Sequence, residues 1–184
     1  GQLGHGDAQH RLTPAALETP LSTSKVVSVS AACCRSMALT EKGEIYHWGD
    51  KTRTHKITSF VETVGLIPSP LKIGEGQEDV TKQPELLVFP EQVEIVKFKS
   101  GTQTYMAIDG DGKAYIWGQL VGTIPLQTTY TPIRMDWITE PVADIAIGNR
   151  HVLILTRAGN VLSFGRSPGI ATGMEQSIIG GTPL

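Results

Sequence analysis

The sequence predicts an all-β fold assembled from repeated small sheets, and three observations carry that prediction. Three segments, Val26 to Gly49, Ile95 to Gly118 and Val142 to Gly165, align with one another without a gap over their common template. Each ends on an aromatic residue and a glycine (Trp48-Gly49, Trp117-Gly118, Phe164-Gly165), with a second glycine six residues earlier at Gly43, Gly112 or Gly159. Ten and twelve residues before the terminal glycine stand Leu39 and Met37, Ile108 and Met106, and Leu155 and Leu153. That alternation has the period of two of half-buried strands. No window of a dozen residues carries the i, i+3, i+4, i+7 apolar pattern, so helices should be few and short.

The elements follow in order from these registers. The first strand of each unit runs into a small residue, Ala32, Gly101 or Gly148, seventeen places before the terminal glycine. The last two strands are joined at Glu41-Lys42-Gly43-Glu44, Asp109-Gly110-Asp111-Gly112-Lys113 and Arg157-Ala158-Gly159-Asn160, where glycine meets the positive φ of a tight hairpin. A further strand is expected before each unit, opening on a proline: Pro14-Ala15-Ala16-Leu17, Pro70-Leu71-Lys72-Ile73 and Pro132-Ile133-Arg134-Met135, with Pro183-Leu184 as a fourth start. The prolines recur every 50 to 60 residues or so, a period that suits propeller blades and is too long for leucine-rich or ankyrin repeats. The fold read from the sequence is a β-propeller of four-stranded antiparallel blades, incomplete, with three blades and a partial fourth. Its repeat units are placed at approximately 1–50, 51–118, 119–165 and 166–184. Trp48, Trp117 and Phe164 recur at one position of each unit, which assigns them to packing between blades and not to a base-stacking platform.

The opening Gly1-Gln2-Leu3-Gly4-His5-Gly6-Asp7, the strand Ser36-Met37-Ala38-Leu39-Thr40 and the closing Gly43-Glu44-Ile45-Tyr46-His47-Trp48-Gly49 resemble the repeat of the regulator of chromosome condensation family. Later copies depart from it. Gly65-Leu66 and Gly122-Thr123 are remnants of the Gly-Gln-Leu-Gly element, and of the places fourteen before the terminal glycine only His151 holds the family's histidine, Arg35 and Thr104 holding the others. The resemblance implies a seven-bladed propeller. It also implies a non-catalytic protein-interaction scaffold, of the kind that recruits substrates to ubiquitin ligases in relatives with an F-box or other partner domain. The alternative it implies is guanine-nucleotide exchange on a small Ran-like GTPase, which requires only a wedge projecting from one propeller face.

A ring of seven repeats of about 56 residues needs roughly 400 residues. The 184 residues given cannot close such a ring, so they are expected to be part of a longer chain whose remaining blades complete it. The interval from Gly49 to Gly118 exceeds that from Gly118 to Gly165 by about twenty residues. The surplus falls either in 50–64, which carries Arg53, His55 and Lys56, or in 74–84, which carries Glu75, Glu78 and Asp79. Long loops on rigid scaffolds often bind partners, and these six residues are the candidate partner contacts; the alternative is a surface loop with no binding role.

Composition narrows the function further. Sixteen Lys and Arg against eighteen Asp and Glu give a formal net charge of -2, so no broad basic footprint exists for phosphate backbones and no direct nucleic-acid binding is expected. Apolar runs such as Glu85-Leu86-Leu87-Val88-Phe89 fall far short of the roughly 20 residues of a membrane-spanning helix. No Walker loop, nucleophile elbow or His-Glu-x-x-His is present, and the five histidines share no metal-ligand spacing; the expectation is no enzyme, no metal and no cofactor. Asp109-Gly110-Asp111-Gly112 lacks the later oxygen ligands of a calcium loop and reads as a hairpin turn. Cys33 and Cys34, being adjacent, make neither an ordinary disulfide framework nor half a zinc site. They are expected to be buried and inert in a reducing compartment, cytoplasmic or nuclear, with Arg35 as the one neighbouring cation that would activate a thiol.

Overall fold

The computed structural model describes residues 1–18, 20–50, 80–121 and 127–165. Eleven strands carry the described chain: β1 Val26–Ala32, β2 Arg35–Thr40, β3 Ile45–Asp50, β4 Val80–Leu86, β5 Ile95–Ser100, β6 Thr104–Asp109, β7 Ala114–Leu120, β8 Gln127–Arg134, β9 Val142–Ile147, β10 His151–Thr156 and β11 Val161–Gly165. One 3-10 turn, Leu21–Thr23, is the sole helical element among the described residues. The strands form three antiparallel sheets in meander order, β1-β2-β3-β4, β5-β6-β7-β8 and β9-β10-β11. This is the all-β propeller architecture expected from the repeats.

Each sheet closes its hairpins the same way. Strand β2 pairs β3 from Arg35↔Gly49 to Leu39↔Ile45, β6 pairs β7 from Thr104↔Gly118 to Ile108↔Ala114, and β10 pairs β11 from His151↔Gly165 to Leu155↔Val161. At the turns, Gly43, Gly112 and Gly159 adopt φ of 76°, 87° and 88°, which an L side chain seldom tolerates. The terminal glycines meet a second demand. A Cβ on Gly49 would stand 2.2 Å from the Cys34 carbonyl oxygen, and one on Gly118 the same distance from that of Gln103. In the middle hairpin, both Asp111 and Lys113 donate their backbone N–H to Asp109 Oδ1, and the Tyr115 hydroxyl lies 3.1 Å from Oδ2. The Asp-Gly-Asp-Gly stretch is therefore a turn, as expected, with Asp109 committed to its own hairpin.

The cores lie between sheets. Met37, Leu39 and Ile45 of the first sheet pack with Phe98, Tyr105, Ala107, Tyr115 and Trp117 of the second. The opposite face of the second sheet, Met106, Ile108, Ala114 and Ile116, packs with Val142, Ile145, Val152 and Ile154 of the third. Because β6 is covered on both faces, all six of its residues are buried. Strand β10 is covered on one face only, so its burial alternates and leaves Leu153 and Leu155 about two-fifths exposed. The blades also join through the turns: the Ile95 N–H donates to the Gly43 carbonyl and the Val142 N–H to the Gly112 carbonyl.

The proline-led strands need correction. Pro14 to Leu17 forms no strand, and Pro70 lies outside the described residues. Pro132 stands near the end of β8, not at its start, and its counterpart in the first blade is Pro84 within β4. The physical reason is the register. Between His47↔Glu85 and Gly49↔Thr81, and again between Ile116↔Ile133 and Gly118↔Thr129, the outer strand carries surplus residues, and each proline sits in that bulge. An outer strand has no partner beyond it, and a bulge removes the ladder bond that proline cannot make.

Candidate interaction face

One end of the molecule collects the β1–β2, β3–β4, β5–β6, β7–β8 and β9–β10 connections. The β7–β8 connection runs from 121 to 126, whereas the equivalent β3–β4 connection runs from 51 to 79. The sequence surplus is thereby assigned to one loop, and the Val80–Pro84 part of the second proposed stretch belongs to β4. Its base is defined on both sides: Asp50 and Val80 are register partners, so the chain leaves and re-enters the sheet at one point. The candidate contacts Arg53, His55, Lys56, Glu75, Glu78 and Asp79 lie outside the described residues.

The opening Gly-Gln-Leu-Gly segment braces that base. The Gly6 N–H donates to the Lys82 carbonyl, and the Gln2 carbonyl accepts both the Ser36 hydroxyl at 2.8 Å and the Trp48 indole N–H at 2.9 Å. Gly4 lies against the Trp48 ring, where a Cβ would approach to 2.8 Å. Trp48 is thus held by the opening segment, while Trp117 stacks on Tyr105 at 5.9 Å and meets Phe89 edge-on between the first two blades. Asp7 closes the segment with two bonds of 2.9 Å from Arg11, and that hydrogen-bonded guanidinium holds its carboxyl well below the ordinary carboxylate range.

Beneath the β1–β2 turn, Arg35 is buried with its Nη2 2.6 Å from His47 Nδ1 and its guanidinium 5.2 Å from the Tyr105 ring centre. A guanidinium only donates, so Nδ1 accepts and the imidazole carries its hydrogen on Nε2. Burial holds the proton on Tyr105 more tightly than usual, with the Arg35 charge opposing it. The three residues come from β2, β3 and β6 and tie the first blade to the second. The equivalent Thr104 donates its hydroxyl to the Gln119 carbonyl at 2.6 Å, whereas the His151 side chain is exposed. Sequence reasoning marked Arg35 as a departure from the repeat, but nothing in the spacing linked it to His47 or Tyr105.

Cys33 and Cys34 form the loop of this same turn. They are not buried as expected: Cys33 is exposed and Cys34 half-buried. Residues at the tip of a two-residue hairpin loop have no sheet to cover them. No group of three or more His, Cys, Asp or Glu side chains is placed to hold a metal ion among the described residues. No helix among them is long and apolar enough to cross a membrane.

The geometry defines a run of propeller blades in which one connection, 51–79, is longer than its counterpart. The "Regulator of chromosome condensation (RCC1) repeat" matches residues 142–168, in the third unit, in line with the resemblance to that family. The human E3 ubiquitin-protein ligase HERC2 is 28% identical over 172 residues, covering 90% of this chain and 3% of its own length. Ras guanine nucleotide exchange factor C of Dictyostelium discoideum is 29% identical over 171 residues, covering 91% of this chain and 11% of that protein. Among solved structures, Prp20p from Saccharomyces cerevisiae, described with its binding to Gsp1p and histones, superposes with a TM-score of 0.58 at 22% identity. The match takes in 79% of this chain and 32% of that one, and it establishes the fold.

Proposed function

We propose that this chain is a non-catalytic protein-interaction scaffold whose β3–β4 insertion carries the partner contacts, with Arg53, His55, Lys56, Glu75, Glu78 and Asp79 as contact residues. The observation that carries this reading is the enlargement of one connection, 51–79 against 121–126, on blades that are otherwise built alike. The insertion leaves a base that is paired, braced by the opening segment and tied to the second blade through Arg35, which suits a loop that must present side chains to another protein. The similarity to HERC2 supports a substrate-recruiting role in a ubiquitin-ligase system, in the cytoplasm or nucleus.

A second reading, guanine-nucleotide exchange on a small GTPase with the insertion as the wedge, is favoured by the similarity to Ras guanine nucleotide exchange factor C. The two separate in one experiment. Capture from cell extract by the wild-type chain is compared with capture by the triple variant Arg53→Ala, His55→Ala, Lys56→Ala. Loss of cullin-type ligase subunits from the variant, at an unchanged Tm, supports the recruiting role. A small GTPase retained only without nucleotide supports exchange. Equal capture by both chains overturns the insertion as the contact.

A further inference from the structure

The β1–β2 turn holds two thiols that no structural demand of the repeat explains. The same two places are Thr102-Gln103 and Asn149-Arg150 in the sister blades, so the turn forms without sulfur. In the first blade the two Sγ atoms lie 3.4 Å apart, with Cys33 exposed and Cys34 half-buried. Cys33 has φ of 42° and is the one non-glycine residue with positive φ among those described. Its backbone already occupies a sparsely populated region.

The turn is also mechanically connected. The Cys34 carbonyl accepts the Asp50 N–H at 2.9 Å, at the very residue from which the insertion departs. On the other side Arg35 is 6% exposed and pinned by His47 and Tyr105. The Cys34 carbonyl belongs to the next peptide, Cys34–Arg35, so a twist of the Cys33–Cys34 peptide reaches it by rotation about the Cys34 backbone, while the Arg35 side chain stays held by His47 and Tyr105. Adjacent Cα atoms stand about 3.8 Å apart across a trans peptide, less than the roughly 4.4 Å at which ordinary disulfides begin. Joining the two sulfurs must twist that peptide, and a strained, exposed disulfide is a readily reduced one.

We propose that Cys33 and Cys34 form a vicinal dithiol site that reacts with small disulfides of the glutathione class, and that its oxidation releases Asp50 from the turn. The Cys33 thiolate attacks one sulfur of the disulfide, forming a mixed disulfide and expelling one thiolate. The Cys34 sulfur then attacks the Cys33 sulfur, forming the intramolecular bond and expelling the second. Two cysteine thiols lose two electrons and two protons, and the small disulfide takes them up as two thiols. The twist, carried through the Cys34 backbone into the next peptide, turns the Cys34 carbonyl away, and the Asp50 N–H loses its acceptor. The proposal rests on the hairpin alone, so its failure would leave the interaction reading standing.

The test treats the chain with oxidised glutathione and follows intact mass, thiol alkylation and hydrogen exchange at the Asp50 amide. The expected wild-type product has lost two hydrogens, carries no glutathione, resists alkylation at both cysteines and reverts with reduced glutathione. Its Asp50 amide exchanges roughly five- to tenfold faster, as for the loss of one backbone hydrogen bond. Cys34→Ser should stop at one glutathione on Cys33, with Asp50 exchange unchanged. Stable glutathione adducts on the wild type, disulfides between chains, unreacted thiols, or an internal disulfide with unaltered Asp50 exchange would each overturn the proposal.

Discussion

Glycine does two separable jobs in these repeats, and single substitutions can tell them apart. Gly159 has φ of 88° and, among the described residues, nothing within 4 Å of the place a Cβ would take, so Gly159→Ala should cost backbone strain of about 1–2 kcal/mol. Gly118 has φ of 82° and the Gln103 carbonyl 2.2 Å from its own would-be Cβ, with the Tyr105 ring 2.7 Å away. Gly118→Ala should cost about 3 kcal/mol or more, since the hairpin itself must move. Equilibrium denaturation of the two variants measures the difference, and equal losses would mean that the carbonyl contact yields without cost.

At the scale of elements, the connection between β4 and β5 is fastened to the second blade by Glu91. Its carboxylate accepts the Tyr115 hydroxyl at 2.9 Å and two bonds from Arg134 Nη1 at 2.8 and 3.0 Å. The Tyr115 bond and then Arg134 hold the Glu91 carboxyl below its ordinary value. A carboxylate with a lowered folded-state pKa contributes stability above its unfolded pKa of 4.5, and that contribution disappears as pH falls through the folded value. Glu91→Gln should lower the Tm at pH 7, and the gap from wild type should close below the ordinary carboxylate range. A gap that persists in acid would place its origin in packing. The sheets themselves were legible because glycine and aromatic spacing reports strand register directly. The outer strands were not, since Pro84 and Pro132 sit in bulges whose extra residues break the period. Nor was the Arg35–His47–Tyr105 tie, which joins residues from three strands and two blades and so leaves no spacing to read.

The described blades stand in a row, with apolar side chains exposed on the first and on the third. Val27 and Val29 are 55% and 73% exposed on the first blade, and Leu153, Leu155 and Val161 are exposed on the third. Such surfaces drive association. In solution the 184-residue chain should self-associate, and Leu153→Lys with Leu155→Lys should shift its sedimentation towards monomer while leaving the Tm nearly unchanged. Unaltered sedimentation would exclude that face as the cause.

The backbone hydrogen bonds that seat one blade on the turn of another run in one sense. Gly43 in the first blade offers the carbonyl that receives Ile95 of the second, and Gly112 in the second offers the one that receives Val142 of the third. In each pair the acceptor precedes its donor in the chain. During synthesis, therefore, a newly emerged blade finds its seat on the preceding turn already in place. Gly159 holds the equivalent turn position in the third blade, with φ of 88°.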